Sequence, residues 1–291
     1  MKIIVGISNF SFESQRFSSF VDIQNEFTKL KALQGKFNQL GVSLSIATDI
    51  LKDRYFGHSI ETQFNNFSYG NDKSAVIAFR MKLERGYFSG FDKSYNSEEL
   101  KCLASRPDED NHLCCTLYAP KVLISGLSSI KSINDFDSFY ETILSCYPIN
   151  EDSYYQRAIS HFNNIIYHSN CGETLKKIND GGINKFSITI TQCLKALNQH
   201  QAQMKIPEDL NTIAALAGCK CTTQGGKGKD DMKFYFPEVS ETNKINCEYH
   251  LKPHKSNDPG DSSYYHKRIY FTFSYIDGKY RTLVASIGPH L

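Results

Sequence analysis

Residues 244–291 read KINCEYHLKPHKSNDPGDSSYYHKRIYFTFSYIDGKYRTLVASIGPHL, and this stretch carries the strongest fold signal of the chain. Apolar and polar side chains alternate over two parts of it, which is the pattern of strands with one buried face. The pair Asp277-Gly278 separates the second part from a third apolar run, and Asp-Gly in that position is a strong hairpin signal. The stretch therefore predicts three consecutive strands in a small antiparallel sheet.

The alternation assigns each side chain to one of two faces of this predicted sheet. Apolar residues share the face toward the core: Ile245, Cys247, Tyr249 and Leu251, then Ile269, Phe271, Phe273 and Tyr275, then Leu283, Ala285 and Ile287. Mostly ionisable residues share the face away from the core: Glu248, His250, Lys252, Arg268 and Tyr270, with His290 at its rim. The rest of the chain offers less chemistry, so the functional hypothesis starts from this polar face.

Such a set of ionisable groups suits cleavage of a phosphodiester without a metal. The 2′-hydroxyl of RNA attacks its own phosphate when a base removes its proton, a cation stabilises the phosphoryl oxygens and an acid protonates the leaving oxygen. The candidates, in that order, are Glu248 or His250, then Lys252 and Arg268, then His290 or His254. A plain alternative fits equally well, because antiparallel sheets often turn a solvated face of charged residues to water.

Three short motifs in this region resemble the C-terminal half of RelE and HigB type toxins. The motifs are EYHLKP at 248–253, KRIYF at 267–271 and the ending PHL at 289–291. The resemblance implies that Lys252 and Arg268 bind and stabilise a phosphate and that His290 is a terminal acid or base. It covers about the last eighty residues, and the loop from His254 to His266 is longer than in that family.

Composition places the chain among soluble globular proteins. Its 291 residues are 40% hydrophobic and 22% charged, and the formal net charge is only +2, so nucleic-acid binding would need a local patch. The nine cysteines have no paired spacing, and the N-terminus lacks the pattern of a signal peptide. A run of roughly 20 apolar residues, which spans a bilayer, is also missing from the sequence. We therefore expect a cytoplasmic protein with reduced thiols and no membrane partner.

The pattern along the chain predicts an α+β protein in three parts. Residues 1–133 form an N-terminal α+β domain, 134–204 a helical segment, and 205–291 the C-terminal antiparallel sheet domain. In the first part we predict strands at Lys2–Ile7, Val42–Ala47, Ser74–Leu83, Leu113–Tyr118 and Lys121–Leu127, and a helix at Asp22–Leu40. Met232–Val239 is predicted as the first strand of the C-terminal sheet.

A glycine- and lysine-rich stretch at 218–229 joins the helical segment to the sheet. Its spacing is not that of a nucleotide-binding P-loop, so we interpret it as a basic loop in which Lys227 and Lys229 contact RNA backbone, as His254 and Tyr270 would. Cys219 and Cys221 lack the partner residues of a zinc site. We expect neither a metal nor a cofactor.

Two function classes follow from these observations. The first is a bacterial metal-independent endoribonuclease, acting as a toxin or in antiviral defence and controlled by a regulatory protein or antitoxin. The second is a non-enzymatic subunit of a defence or toxin-antitoxin complex, whose polar sheet face binds RNA or protein. Residue types do not separate the two classes, because binding and cleavage both need Lys, Arg and His on one surface.

Overall fold

Helices and strands are distributed along the chain, which confirms the mixed α+β class. The computed structural model describes residues 1–12, 17, 19–52, 54–55, 58–59, 62, 73–85, 91–107, 112–121, 123–225, 232–240, 242–255 and 266–291. The chain divides into two compact units, residues 1–140 and 141–291, and the second unit contains most of the helical segment together with the C-terminal sheet.

Helices and strands occur in both units of the described residues. The helices are α1 (Phe20–Ala32), α2 (Gln34–Gln39), α3 (Lys73–Arg85), α4 (Ser97–Ser105), α5 (Ile133–Cys146), α6 (Glu151–His161), α7 (Cys171–Leu175), α8 (Ile183–Gln199) and α9 (Ile206–Ala217), with a short 3₁₀ helix at Asn9–Phe12. The strands are β1 (Lys2–Ile7), β2 (Val42–Ile46), β3 (Arg54–Tyr55), β4 (His58–Ser59), β5 (Phe91–Asp92), β6 (Leu113–Tyr118), β7 (Ser129–Ile130), β8 (Ile166–Tyr167), β9 (Cys221–Thr223), β10 (Lys233–Phe234), β11 (Ile245–Asn246), β12 (Tyr249–Leu251), β13 (Lys267–Ile276) and β14 (Lys279–Pro289).

The first unit is built on a parallel sheet with the strand order β5-β2-β1-β6-β7. Five of the six residues of β1 are buried, as expected for a central strand of a parallel sheet that is covered on both faces. Helix α1 begins after Ser19, whose side chain accepts a hydrogen bond from the N–H of Asp22 at 3.2 Å. Its Phe27 packs edge-on against Phe79 of α3 and Tyr118 of β6, which ties helices to sheet.

The second unit is built on a mixed sheet with the order β8-β14-β13-β12-β9. Strand β8 runs parallel to β14, and the other neighbours are antiparallel. His250 of β12 lies opposite Tyr270 of β13, which in turn lies opposite Ser286 of β14. Ala285 is an extra residue in β14, since Tyr270 pairs with Ser286 and Phe271 with Val284. Because of this bulge, Leu283, Ala285 and Ile287, which were predicted to share the core face of β14, do not all lie on one face of the sheet.

The predicted hairpin joins β13 to β14. Asp277 and Gly278 have φ angles of 51° and 81°, and positive φ at both central residues defines a type I′ turn. Phe271 and Phe273 are 0% and 8% exposed, so the prediction that they are core residues is confirmed. Strand β14 runs through Gly288 and ends at Pro289.

The sheet of the second unit is covered on both faces, and the prediction of a face away from the core is wrong. Tyr270, Arg268 and His250 are only 0%, 3% and 4% exposed. The reason is that the chain after α9 returns over this face, where Met232, Phe236 and Cys247 pack with Tyr270, Leu283 and Ala285. On the opposite face, the Thr282 hydroxyl donates to the Leu197 carbonyl of α8 at 3.4 Å, and the ring of His200 lies 5.8 Å from that of Phe273.

Several predicted elements differ in type or extent. Ser74–Leu83 is part of a helix, because Val76, Phe79 and Leu83 are buried at helical spacing while Ile77 is exposed. The described residues of Lys121–Leu127 form turns, and helix Asp22–Leu40 is two helices that meet at Leu33. Only Lys233–Phe234 of Met232–Val239 is a strand, and it pairs with β11 outside the main sheet. The predicted strand Ile245–Lys252 is interrupted at Cys247 and Glu248.

Candidate functional site

The strand register brings the main sequence-predicted residues together at one end of the second sheet. Directly paired His250 and Tyr270 share a face, and Arg268 lies two residues from Tyr270 on the same face of β13. Lys252 follows β12, and its N–H donates to the Lys220 carbonyl at 2.9 Å. The predicted co-location of His250, Lys252 and Arg268 is therefore found, although on a face that is largely buried.

Three positive charges form the centre of this site, which we name the cation cluster: Lys220, Lys252 and Arg268. Burial lowers the pKa of Lys252, and the charges of Arg268 and Lys220 lower it further, with Cys221 acting in the opposite direction. Burial also lowers the pKa of Arg268, whose Nη1 donates to the Lys267 carbonyl at 2.6 Å. Cations that destabilise one another in this way are stabilised by a bound anion.

His250 lies beside the cation cluster as a neutral imidazole. Its Nε2 is 3.0 Å from the hydroxyl of Thr222 on β9, and its ring centre is 5.3 Å from that of Tyr270. Burial lowers its pKa to about 4, and the charge of Arg268 contributes, while a backbone interaction with Glu248 acts in the opposite direction. A ring with this pKa is a weak base at neutral pH, which does not favour the predicted role of His250 as the general base.

Two exposed histidines border the site. His290 donates its backbone N–H to the carbonyl of His266 at 2.8 Å, and the two ring centres are 6.5 Å apart. The His290 ring is also 6.2 Å from that of buried Tyr270, which links the chain's last residues to the sheet face. Nδ1 of His290 lies 2.6 Å from the Leu291 carbonyl and donates to it, so Nε2 carries the lone pair in the neutral ring.

The remaining predicted residues take other places. Glu248 is half-buried, and its carbonyl accepts the N–H of Gln224 at 2.7 Å. The carbonyl of His254 accepts the hydroxyl of Thr189 in α8. Lys227 and Lys229, predicted to contact RNA, lie outside the described residues.

Sequence reasoning missed two lysines at this end of the sheet. Lys220 precedes β9 without any alternation to mark it, yet β9 lies beside β12 and so places it near Lys252. Lys267 is only 5% exposed, and its Nζ is 3.0 Å from a carboxylate oxygen of Asp180. That ion pair neutralises Lys267, so this lysine does not add to the cation cluster.

The second unit also contains a polar recess that the sequence did not indicate. Its volume is about 530 Å³, and its lining includes His200, Gln203 and Arg281. Nε2 of His200 is 2.9 Å from Oδ1 of Asp209, which is 2% exposed and also accepts the N–H of Gln203 at 3.0 Å. None of the cation cluster lines this recess. A ligand of the cluster would therefore lie on a surface rather than in this cavity.

Neither a group of metal-binding side chains nor a membrane-spanning helix is found among the described residues. Within those ranges, three or more His, Cys, Asp or Glu side chains nowhere meet in a group that could hold a metal ion. The helices within the same ranges are all too short or too polar to cross a membrane.

We compared the chain with protein-family models, with curated proteins and with solved structures, and no comparison found a match. The resemblance to RelE and HigB type toxins therefore stays a prediction, and the properties of the site rest on its own residues.

Proposed function

We propose that this protein binds the phosphates of RNA at the cation cluster and cleaves the bound strand without a metal. The observation that carries the proposal is the strand register, which brings Lys220, Lys252 and Arg268 together at one end of the sheet, where burial and the charges of Arg268 and Lys220 lower the pKa of Lys252. A phosphate placed among these groups relieves their repulsion. Phosphate contacts from Lys and Arg are the main source of affinity in nucleic-acid binding.

An extended ligand suits this position better than a small molecule. Lys220 and the two rim histidines, His266 and His290, are exposed, Lys252 is half-buried, and Arg268 lies beneath them. An RNA strand that crosses this end of the sheet would place its phosphates near Lys220 and Lys252. Its riboses would then lie near His266 and His290. The cation cluster and the rim together thus match the repeating phosphate and 2′-hydroxyl of RNA.

In the proposed reaction, Nε2 of His290 removes the proton of the 2′-hydroxyl, and that oxygen forms a bond to phosphorus. The bond from phosphorus to the 5′-oxygen breaks, and protonated His266 supplies the proton that the leaving oxygen needs. Lys252 stabilises the charge on the phosphoryl oxygens, and buried Arg268 beneath it adds positive charge without contacting the phosphate. The products are a 2′,3′-cyclic phosphate and a 5′-hydroxyl, and water is not consumed in this step.

The proposal is tested with a 5′-labelled single-stranded RNA in a buffer containing EDTA. We expect binding by fluorescence anisotropy and, on longer incubation, fragments that end in a cyclic phosphate. Lys252→Met should weaken binding at least several-fold, whereas Lys279→Met, an exposed lysine in the β13–β14 turn, should not change it. Equal affinity of the wild-type protein and the Lys252 variant would contradict the role of the cation cluster.

A second candidate function is binding without cleavage, as a subunit that works with a protein partner. The burial of Arg268 and His250, at 3% and 4% exposure, favours it, because buried groups do not reach a reacting phosphate directly. His290→Ala distinguishes the two functions. Cleavage should fall by about 10²-fold or more with unchanged affinity if His290 is the base. An intact RNA after incubation with the wild-type protein, together with tight binding, would favour the second function.

A further inference from the structure

A cysteine of α8 and a cysteine that follows α9 meet beside the sheet of the second unit. Cys193 lies in α8, and Cys219 follows α9 directly after Gly218. Their sulfur atoms are 3.4 Å apart, Cys193 is 0% exposed and Cys219 is half-buried. Cys219 is thus the more accessible residue of the pair, and Cys193 lies in the protein interior.

We propose that Cys193 and Cys219 are a redox modification site, which a hydroperoxide or a small disulfide such as oxidised glutathione converts to an intramolecular disulfide. A disulfide bond is about 2.05 Å long, so the sulfurs need to approach by only about 1.4 Å. Gly218 has a left-handed conformation with φ of 64° and ends the helix, so the chain can adjust at Cys219 without bending α9.

The surroundings prepare Cys219 to react first. The hydrogen bond with the Cys193 thiol lowers its pKa, burial acts in the opposite direction, and the backbone of Lys252 lowers it further. Other buried thiols shift the opposite way, since burial raises the pKa of Cys171 and of Cys247 to about 12. The thiolate is the reactive form of cysteine, so Cys219 differs in kind from cysteines that only fill space.

With a hydroperoxide, the reaction proceeds in two balanced steps. The Cys219 thiolate attacks the terminal oxygen, the O–O bond breaks, and the leaving oxygen takes a proton, which gives a sulfenic acid and water or an alcohol. The Cys193 sulfur then attacks the sulfenic sulfur, the S–O bond breaks, and the hydroxyl leaves as water with the Cys193 proton. The two thiols lose two electrons and two protons in total, and the peroxide is reduced.

With oxidised glutathione, the same two sulfurs react by exchange. Cys219 forms a mixed disulfide and releases one glutathione thiolate, and Cys193 then displaces the second glutathione. Neither route depends on RNA binding. A failure of the proposed function would therefore leave the predicted disulfide unaffected, and the reverse also holds.

The test uses the full chain, reduced, freed of reductant and exposed to a small excess of hydrogen peroxide or oxidised glutathione. Remaining thiols are blocked with N-ethylmaleimide before intact-mass measurement and peptide mapping. We expect seven maleimide adducts on the oxidised chain instead of the nine on the reduced chain, and a cross-linked peptide pair that contains Cys193 and Cys219. Dithiothreitol added before the blocking step should restore nine adducts and remove the cross-link.

Matched variants define the pair. Cys193→Ser and Cys219→Ser should each abolish the cross-link, whereas Cys221→Ser and Cys102→Ser should retain it. Thermal melting of the reduced variants checks that they fold, and mapping of the wild-type protein answers the question without any variant. A cross-link from Cys219 to Cys221, or a Cys219 adduct that persists without a cross-link, would overturn the proposal.

Discussion

The imidazole of His250 is held between Thr222 and Tyr270, beside the charge of Arg268. Sequence reasoning proposed it as a base because the pKa of an isolated histidine is near neutrality. Its position in the strand was predictable from alternation, but its environment was not, since that depends on residues far away in the chain. Burial and the neighbouring cation lower the pKa of His250, and its Nε2 forms a hydrogen bond with the Thr222 hydroxyl.

The lowered pKa of His250 predicts a specific dependence of stability on pH. The pKa is about 6.5 in an unfolded chain and about 4 in the folded protein, so the unfolded state binds the proton more tightly between these values. His250 should therefore reduce the free energy of unfolding as pH falls from about 6.5 to 4, by at most about 3 kcal/mol. Below pH 4 its contribution should become constant.

Urea unfolding of the wild-type protein and of His250→Gln, at several pH values, measures this contribution. The variant should lose less stability than the wild type between pH 6.5 and 4, whatever its stability at neutral pH. Leu216→Ala, at an exposed residue that carries no titratable group, serves as the control, and it should leave the wild-type pH dependence unchanged. Parallel curves for the wild type and the His250 variant would show that His250 titrates normally.

At the scale of the element, the hairpin of β13 and β14 was the most predictable part of the chain. Period-two alternation and an Asp-Gly turn are local signals, and the structure follows both. Local signals were misleading in α3, where the short apolar run with Val76 and Ile77 favoured a strand. The residues that are buried there, Val76, Phe79 and Leu83, have the spacing of a helix. The continuous apolar run Leu283-Val284-Ala285 could have indicated burial on both faces, which alternation alone did not.

Strand β13 offers a direct comparison of a buried and an exposed aromatic residue. Phe271 is 0% exposed and its ring centre is 5.6 Å from that of Phe273, whereas Tyr275 is 64% exposed. Phe271→Ala should lower the free energy of unfolding by about 3–5 kcal/mol. Tyr275→Ala should change it by about 0.5 kcal/mol or less. Chemical denaturation of both variants checks this, and equal losses would contradict the difference in burial between the two side chains.

The turn of the hairpin gives a prediction about backbone conformation. Gly278 has φ of 81°, which an L-residue with a Cβ adopts only with strain. Gly278→Ala should therefore destabilise the protein by about 1–2 kcal/mol, although a Cβ there meets no atom within 4 Å. Gly225→Ala is the matched control, because that glycine is equally uncrowded and its φ is not in the left-handed range. If both variants melt at the wild-type temperature, the turn is not of type I′.

For the molecule as a whole, a formal net charge of +2 gives little long-range attraction for nucleic acid. Any binding should therefore depend on the cation cluster and on salt. With three cations on a single strand, the slope of log affinity against log salt should be about −2, and Lys252→Met should make it shallower by about 0.7. Anisotropy titrations from low to moderate salt measure both slopes, and a slope near zero would exclude binding through phosphates.

The site itself was only partly predictable. Alternation located His250, Arg268 and Tyr270 on one face, and the position of His290 beside Tyr270 agrees with the expected return of the chain end. Lys220 comes from a segment without a local pattern, whereas Met232 and Phe236 were predicted as part of a strand of this sheet and instead cover its face. Their positions follow from the pairing of β9 with β12 and from the return of the chain after α9, and both are long-range events.

Strand β14 has a consequence for the order in which the second unit forms during synthesis. It pairs with β13 and β8 and accepts a hydrogen bond from Cys171 of α7, 113 residues earlier in the chain. The ribosome adds about 5–20 residues per second, so α7 and β8 wait several seconds for the strand that completes their packing. During that interval they expose apolar surface, and we expect nascent chains halted before Lys279 to recruit chaperones and to be cut by proteases.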